Sequence, residues 1–311
     1  MYITYRYICF IFIYVVYLYI KYKNIGGILL ERLNVKAYIE SEYDKIRNSR
    51  KFSGNKDFSI FQVGNNPASN KYVGNKIKKC EELGINVSLN KVMSSDVEYI
   101  NSTIISNYRS NRRKCMVQFP VPHGVKTEFI DKCDDVDGLT DENQSLLFSE
   151  NVKNDIEKGK FFNIACTARG VAEYMSHIDE NLSGKTVVII GRSILVGKPL
   201  ARLLSLKDMT VIQTHSKTPK KVLLELVKTA DYVVTAVGKI GVITSEDIPA
   251  GCTVIDVGIN FNEDGKLVGD FVILDSDLDK DFRFTPVPGG VGLLTVQSLI
   301  KNILEIPIYA K

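Results

Sequence analysis

The sequence predicts an α/β protein of two domains, built on largely parallel sheets covered by helices. The chain has 311 residues, which is enough for two domains with a sizeable core. Short apolar runs alternate with helix-like segments along the chain, which is typical of β-α-β units. In the second half these runs are continuous and several end in glycine, which is the rhythm of a doubly wound nucleotide-binding domain. We therefore expect an α/β domain followed by a Rossmann-type domain.

The elements of the first half are predicted from periodicity and capping. Apolar residues recur with a roughly helical period from Leu29 to Ile46, which predicts a first helix. Phe58–Val63 reads as a strand, and the segment from Pro67 to Gly84 has the start and stop signals of a capped helix. The remaining predictions for this half are strands at Asn86–Val92 and Lys114–Phe119 and a loop or domain border at Glu150–Lys160.

The second half contains four apolar runs that read as buried parallel strands, followed by a final helix. The predicted strands are Thr186–Gly191, Thr210–His215, Asp231–Gly238 and Thr253–Gly258, and the predicted helices are Leu200–Leu206 and Leu293–Ile303.

Composition excludes several classes of function. The net charge of +4 is too small to indicate a nucleic-acid surface. Six cysteines are scattered without a CxxC pair, and the three histidines lack metal-ligand spacing, so we expect neither a zinc site nor a redox motif. Free thiols suit a reducing, cytoplasmic compartment.

The N-terminal residues 1–24 form a hydrophobic, tyrosine-rich extension. The uncharged run from Tyr7 to Ile20 is short for a membrane span and closer to a targeting or interfacial segment. Residues 1–23 therefore predict either membrane contact or targeting to an organelle, and the alternative is an extension introduced by the gene prediction.

Two pairs of residues have side chains suited to chemistry. Tyr72 and Lys76 share one helix face, where a phenol beside an amine suits proton transfer, although such a pair is also typical of a solvated helix face. Asp135 and Asp137 place two carboxylates at alternate positions before the turn residue Gly138.

Two loops complete the pattern, and together the four motifs indicate a family. Val117–Pro122 reads as a strand that runs into a proline-fixed loop, and Phe284–Gly292 is a second loop shaped by proline and glycine. In this order the motifs resemble the bifunctional methylenetetrahydrofolate dehydrogenase/cyclohydrolase family, from about Gly27 to Leu304. The resemblance departs in lacking the usual prolines around Cys166 and Thr167.

The resemblance implies a role for each residue of the reaction centre. Lys76 would be the central catalytic residue, held by Gln118, with Tyr72 against the pterin and p-aminobenzoyl portion. Asp137 would accept hydrogen bonds from the pterin, because a carboxylate is an acceptor only. Asp135 is a second candidate, with turn capping as its alternative. The folate-side wall would be formed by Pro288, Gly289 and Gly290.

The predicted cofactor is NADP. Gly191 and Gly197 would let the backbone approach a phosphate and Ser193 would donate to it, although a tight turn without a ligand is the alternative. Arg192 and the segment His215-Ser216 provide cationic and hydroxyl groups rather than the acid typical of an NAD site. By resemblance, the adenine and nicotinamide side would also be lined by Gly238, Gly258, Ile259 and Thr295.

The predicted function is oxidation of methylenetetrahydrofolate with NADP, followed by hydrolysis of the methenyl product to formyltetrahydrofolate. The alternatives are a monofunctional dehydrogenase and a catalytically weak, membrane-attached protein that binds folate and NADP. Residues 25–165 with 290–311 would form the catalytic, folate-binding domain, and residues 166–289 the NADP-binding domain. The final helix would return to the first domain, and the family resemblance implies a homodimer.

Overall fold

The computed structural model describes residues 30–49, 56–277 and 279–309 of the chain. The predicted extension 1–24 lies outside these ranges, together with its anchor and targeting interpretations. None of the helices within the ranges combines the length and the apolar character that a bilayer-spanning segment requires.

The first half is a three-stranded parallel sheet with helices packed on it. The strand order is β3-β2-β4, with the central strand paired in parallel to both neighbours. Successive strands in a parallel sheet need crossover connections, and helices supply them here. The elements are β1 (Glu31–Arg32), α1 (Val35–Arg47), β2 (Lys56–Val63), α2 (Pro67–Glu82), β3 (Ile85–Val92), α3 (Val97–Ser110), β4 (Lys114–Gln118), α4 (Asp141–Leu147) and α5 (Val152–Glu157).

The second half is built on a six-stranded parallel sheet. Its strand order is β1-β13-β9-β7-β5-β6. The chain adds β6 on one side of β5 and then β7, β9 and β13 on the other side, which is the reversal of strand order expected of a doubly wound fold. Two smaller pairs, β10 with β11 and β12 with β8, lie outside it. The elements are α6 (Cys166–Ile178), β5 (Thr186–Ile190), α7 (Gly197–Ser205), β6 (Thr210–Thr214), α8 (Lys220–Val227), β7 (Tyr232–Thr235), β8 (Ile243–Thr244), β9 (Cys252–Asp256), β10 (Asn260–Phe261), β11 (Leu267–Val268), β12 (Phe271–Val272), β13 (Phe282–Phe284) and α9 (Val291–Ile303).

Two predictions about local structure are wrong. The helix expected from Leu29 begins only at Val35, because the preceding residues hydrogen-bond to the second sheet, with the Leu33 amide donating to the Phe284 carbonyl at 2.8 Å. The strand β1 therefore joins the second sheet although it lies in the range predicted for the first domain. The charged segment predicted as a loop contains the helix α5, whose Val152 is buried in the core.

The C-terminal helix α9 packs against α1, α2 and α6, as predicted for a helix that returns to the first domain. A buried cluster of charges lies at this junction. The Lys301 ammonium donates to Glu42 at 2.6 Å and to Glu173 at 2.9 Å, and the fully buried Arg169 also pairs with Glu173 at 3.2 Å. Burial alone would raise the pKa of Glu42, but Lys301 and Lys45 lower it below its usual value.

Candidate active site

A buried lysine and a glutamine lie at the centre of the candidate site. Lys76 is in the middle of α2 and is only 6% exposed. Its ammonium donates to Gln118 Oε1 at 2.9 Å and contacts Met116 Sδ at 3.5 Å. Gln118 ends β4, and its own amide donates to the Phe119 carbonyl at 2.6 Å, which turns the oxygen toward the lysine. The predicted contact between these two residues is therefore present in the structure.

Tyr72 lies one helical turn before Lys76 on α2. It is half-buried, and burial raises the pKa of its phenol above the usual value. A cavity of about 480 Å³ opens beside it, while the Lys76 ammonium turns toward β4 beneath. Tyr72 lines this cavity, whereas Lys76, Gln118 and Asp137 are not among the described residues that line it. The opposite wall of the cavity includes Pro288, Gly289 and Gly290, as predicted for the folate-side wall.

The loop that forms this wall requires its glycines. Gly289 has φ +99°, in the left-handed region that glycine adopts readily. A Cβ on Gly290 would lie 2.3 Å from the carbonyl oxygen of Pro286. The peptide bond between Val287 and Pro288 is cis.

Asp137 lies near enough to Lys76 for their charges to interact. Burial raises the pKa of its carboxyl, the Lys76 ammonium acts against that rise, and Asp135 adds to it. The Cys166 thiol donates to the Val136 carbonyl at 3.3 Å beside this carboxyl, and burial followed by the charge of Asp137 raises the pKa of that thiol well above its ordinary value. Cys166 was not predicted as a site residue, because its role depends on a contact with a loop almost 30 residues earlier.

Asp135 occupies a different position. Its carboxylate accepts hydrogen bonds from the Gly138 amide at 3.1 Å, the Thr140 amide at 2.8 Å and Asn143 Nδ2 at 2.9 Å. It is 4% exposed and faces its own loop. Its acceptor sites are used to close the turn that presents Asp137, so the geometry favours the turn-capping alternative for Asp135.

The predicted phosphate loop connects β5 to α7. Gly191 has φ +137°, and a Cβ on Gly197 would lie 2.2 Å from the Gly191 carbonyl oxygen, so both glycines are needed for the close turn. The helix starts without a side-chain cap, but the Lys198 amide donates to the Ser193 carbonyl at 3.0 Å and Pro199 has no N–H, so of the first turn the Gly197 amide remains to face an anion. Arg192 and Ser193 are exposed at this turn, and Ser193 Oγ accepts from the Val196 amide at 3.2 Å.

The loop after β6 is ordered by its own hydrogen bonds. The His215 amide donates to Thr218 Oγ1 at 3.1 Å, and His215 Nδ1 accepts from the Lys217 amide at 3.2 Å. Ser216 and Lys217 are exposed beyond this turn. β6 lies beside β5 in the sheet, so this loop and the Arg192 loop follow neighbouring strand ends.

Two aspartates that the sequence did not indicate shape the loops at Gly238 and Gly258. Asp270 is fully buried and accepts hydrogen bonds from the amides of Val237, Gly238 and Lys239 at 2.8–3.0 Å. Asp256 accepts from the Gly258 amide at 2.9 Å and from Thr235 Oγ1 at 2.8 Å. Burial raises the pKa of Asp256, and these hydrogen bonds oppose the rise.

The last predicted cofactor residues have distinct surroundings. Ile259 follows Gly258 and is 46% exposed at the cavity, whereas Thr295 is on α9 and shares a 3.1 Å hydrogen bond with Thr167. Asp256 is a charged residue at the end of a buried apolar strand, and this pattern could have identified it from the sequence.

The sequence matches two domain profiles of one family. Residues 32–137 match the catalytic domain of tetrahydrofolate dehydrogenase/cyclohydrolase, and residues 165–310 match the NAD(P)-binding domain of the same enzymes.

Curated relatives and solved structures agree with these matches. The bifunctional protein FolD of Lactococcus lactis is 37% identical over 277 residues, which cover 87% of this chain and 92% of that protein. The FolD protein of Nitrosopumilus maritimus is 42% identical over 251 residues, covering 78% and 83%. The crystal structure of the bifunctional enzyme FolD from Campylobacter jejuni has a TM-score of 0.77 at 30% identity and covers 88% of this chain and 97% of its own.

A further solved structure is described with a bound cofactor. The Trypanosoma brucei methylenetetrahydrofolate dehydrogenase-cyclohydrolase, complexed with NADP and an inhibitor, has a TM-score of 0.77 at 26% identity, with coverage of 89% and 96%.

Proposed function

The chain belongs to the tetrahydrofolate dehydrogenase/cyclohydrolase family, and from this membership we propose which of its residues carry the two reactions. The protein is an enzyme that oxidises methylenetetrahydrofolate to methenyltetrahydrofolate with NADP and hydrolyses the product to formyltetrahydrofolate. The observation that carries the residue assignment is the buried hydrogen bond between Lys76 and Gln118 beside Asp137.

Lys76 is the proton-transfer group of the hydrolysis. In that step water adds to the methenyl carbon, one carbon–nitrogen bond breaks, and the departing nitrogen gains a proton. The neutral amine of Lys76 removes a proton from the water as it adds, and the ammonium so formed then donates that proton to the departing folate nitrogen. Gln118 holds the amine in place, because its oxygen is directed by the bond from its own amide to Phe119.

Asp137 binds the pterin ring of the substrate. A carboxylate accepts from the ring N–H and amino groups but cannot do so when it is protonated. Because burial raises the pKa of Asp137, the nearby Lys76 charge helps to keep it ionised. Tyr72 covers the ring from the cavity side and limits access of water. Pro288, Gly289 and Gly290 form the opposite wall.

The loops of the second sheet fit NADP. The Gly197 amide at the start of α7 can donate to the diphosphate, and Ser193 adds a hydroxyl. Arg192 and Ser216 are exposed groups suited to the ribose phosphate, with His215 beside them. NADP, when bound, supplies the hydride acceptor of the first reaction. The residues around Gly238, Gly258, Ile259 and Thr295 set the position of the nicotinamide side.

Two further assignments are proposals supported by the architecture. The three-stranded and six-stranded sheets support a catalytic domain of residues 25–165 with 290–311 and an NADP-binding domain of residues 166–289. The homodimer rests on the family membership.

One spectroscopic experiment tests the proposed function. Purified protein is supplied with methylenetetrahydrofolate and NADP, and the absorbances of NADPH and methenyltetrahydrofolate are followed together. A bifunctional enzyme produces NADPH while the methenyl product appears and then declines faster than in the enzyme-free control. If the methenyl product accumulates and is then lost no faster than by uncatalysed hydrolysis, the protein is instead a monofunctional dehydrogenase.

A further inference from the structure

We propose that Asn302, on the last turn of α9, is a positioning residue for the loop that carries Asp137. The proposal rests on the proposed function, since it takes Asp137 as the pterin-binding carboxylate. Asn302 lies far along the chain from the reaction centre and is fully buried. It reaches the substrate only through the loop.

The amide of Asn302 connects three separate segments. Its Nδ2 donates to the carbonyl of Val136 at 2.8 Å and to the carbonyl of Ile164 at 2.9 Å. Its Oδ1 accepts from Arg169 Nη1 at 2.7 Å. Because a guanidinium can only donate, this last bond fixes which end of the amide faces the two carbonyls. Nδ2 also donates to Cys166 Sγ at 3.5 Å, and all four hydrogen bonds of the side chain agree with this orientation of the amide.

The bonds from Asn302, together with the contacts of neighbouring residues, hold the backbone on both sides of Asp137. On one side, the Val136 carbonyl also accepts from the Cys166 thiol at 3.3 Å. On the other side, a Cβ on Gly138 would lie 2.4 Å from the Ile164 carbonyl carbon, so the loop is pressed against that segment. The peptide that carries the Asp137 side chain thus has little freedom to rotate without breaking a bond to Asn302.

The arrangement explains how a loop residue stays directed at the substrate. The Asp137 carboxyl is destabilised in its ionised form by burial, and a free loop would turn that group toward solvent. One hydrogen bond from Asn302 holds the Val136 carbonyl of this loop, and a second holds the Ile164 segment against which the loop is packed, so both oppose this movement. An effect on substrate binding is therefore expected in addition to any effect on folding.

Ser298 provides the matched control. It lies on the same helix, one turn before Asn302, and is also fully buried. Within the described residues its hydroxyl has no hydrogen-bond partner, and it makes no bond to the Asp137 loop. Ser298→Ala thus removes a buried polar atom from α9 and leaves the hydrogen bonds of Asn302 in place.

Asn302→Asp is the main test, because it preserves the shape and the acceptor for Arg169 but deletes the bonds that Nδ2 donates. We expect the KM for methylenetetrahydrofolate and for methenyltetrahydrofolate to rise about tenfold or more, as for the loss of buried hydrogen bonds. The Kd for NADP should stay at the wild-type value, and Ser298→Ala should change neither constant. Asn302→Leu, which introduces no charge, is the second variant should the aspartate impair folding.

A cycle with Asp137→Asn separates the two proposals. If Asn302 acts through Asp137, adding Asn302→Asp to Asp137→Asn should raise the folate KM little further, because the group it positions is already gone. The positioning role would be overturned if an Asn302 variant kept the wild-type folate KM. It would also be overturned if Asn302→Asp raised the folate KM as much in the Asp137→Asn background as in the wild type. A single Asp137→Asn variant with wild-type KM would instead refute the proposed function of Asp137.

Discussion

The substitution Lys76→Met tests the reaction centre most directly. Methionine preserves much of the apolar stem but removes the ammonium that donates to Gln118. The unpaired Gln118 oxygen should cost about 1–3 kcal/mol of folding free energy. Lys76 is only 6% exposed, so its ammonium loses hydration when the protein folds. Removing this charge avoids that desolvation cost and offsets a similar amount of folding free energy. The substitution also leaves the Asp137 carboxyl, whose pKa burial raises, without the compensating charge of Lys76, so the free energy of unfolding should fall by about 1–3 kcal/mol.

The kinetic effect of the same substitution should be large and selective. Loss of a general acid–base group typically lowers a rate about 10²–10⁴-fold, which corresponds to roughly 2.7–5.4 kcal/mol of transition-state stabilisation. Hydride transfer requires no proton from this side chain, so the dehydrogenase reaction should fall less than the hydrolysis. Both rates are measured from the same preparation, with methenyltetrahydrofolate as the substrate in one assay and methylenetetrahydrofolate with NADP in the other.

A second lysine serves as the control for this experiment. Lys114 lies at the opposite end of β4 from Gln118 and pairs with Glu305 at 2.7 Å. Lys114→Met should retain wild-type hydrolysis. A folded Lys76→Met enzyme that hydrolyses methenyltetrahydrofolate within a few-fold of wild type would refute the assignment of Lys76.

Three further predictions concern the cofactor, the pterin and the buried charges. Arg192→Ala should weaken NADP binding about 10- to 100-fold more than NAD binding, since one charge-assisted contact is lost; titration with both cofactors checks this, and equal losses would show that Arg192 does not contact the ribose phosphate. Asp137→Asn should raise the folate KM. Because the folded pKa of Asp137 is raised above its usual value of 3.8, the stability associated with its protonated form is lost as pH rises through that pKa. The asparagine variant should therefore gain thermal stability relative to wild type with rising pH, and a pH-independent difference would contradict this. Lys301→Met should cost about 3 kcal/mol of unfolding free energy, because Glu42 and Glu173 are left buried with less compensation, and adding Glu42→Gln should recover part of it; denaturant unfolding measures both, and a loss within experimental error would refute the reasoning.

The sheets could be predicted from the sequence because their strands are apolar runs with clear ends. Thr186–Ile190 and Lys56–Val63 lie within a few residues of the predicted strands. The two-residue strand β1 could not be predicted, since Glu31 and Arg32 are polar and their place is set by pairing with β13. A segment that short has no periodicity of its own, and only tertiary hydrogen bonding fixes it.

The sequence indicated some of the residues of the site and of the domain junction but not others. The order of the motifs indicated Lys76, Gln118 and Asp137 through the family resemblance. The buried charges escaped notice, because Arg169 and Lys301 lie on helices where such residues are normally solvated. Their burial depends on the packing of α6 against α9, which no local pattern contains.

The two parallel sheets explain why such distant residues meet, and why the junction between them matters. In open α/β sheets the binding loops follow the carboxyl ends of the strands, and here the loops after β9 and β13 of the second sheet line the cavity together with helices α1 and α2 of the first half. In the proposed mechanism, proton transfer by Lys76 and Gln118 uses groups of the first half alone. Hydride transfer would instead require the folate bound by the proposed catalytic domain and the nicotinamide bound by the proposed NADP-binding domain at a fixed separation. The helices α6 and α9, with Lys301 between Glu42 and Glu173, set that separation, so disturbing this cluster should impair the oxidation more than the hydrolysis.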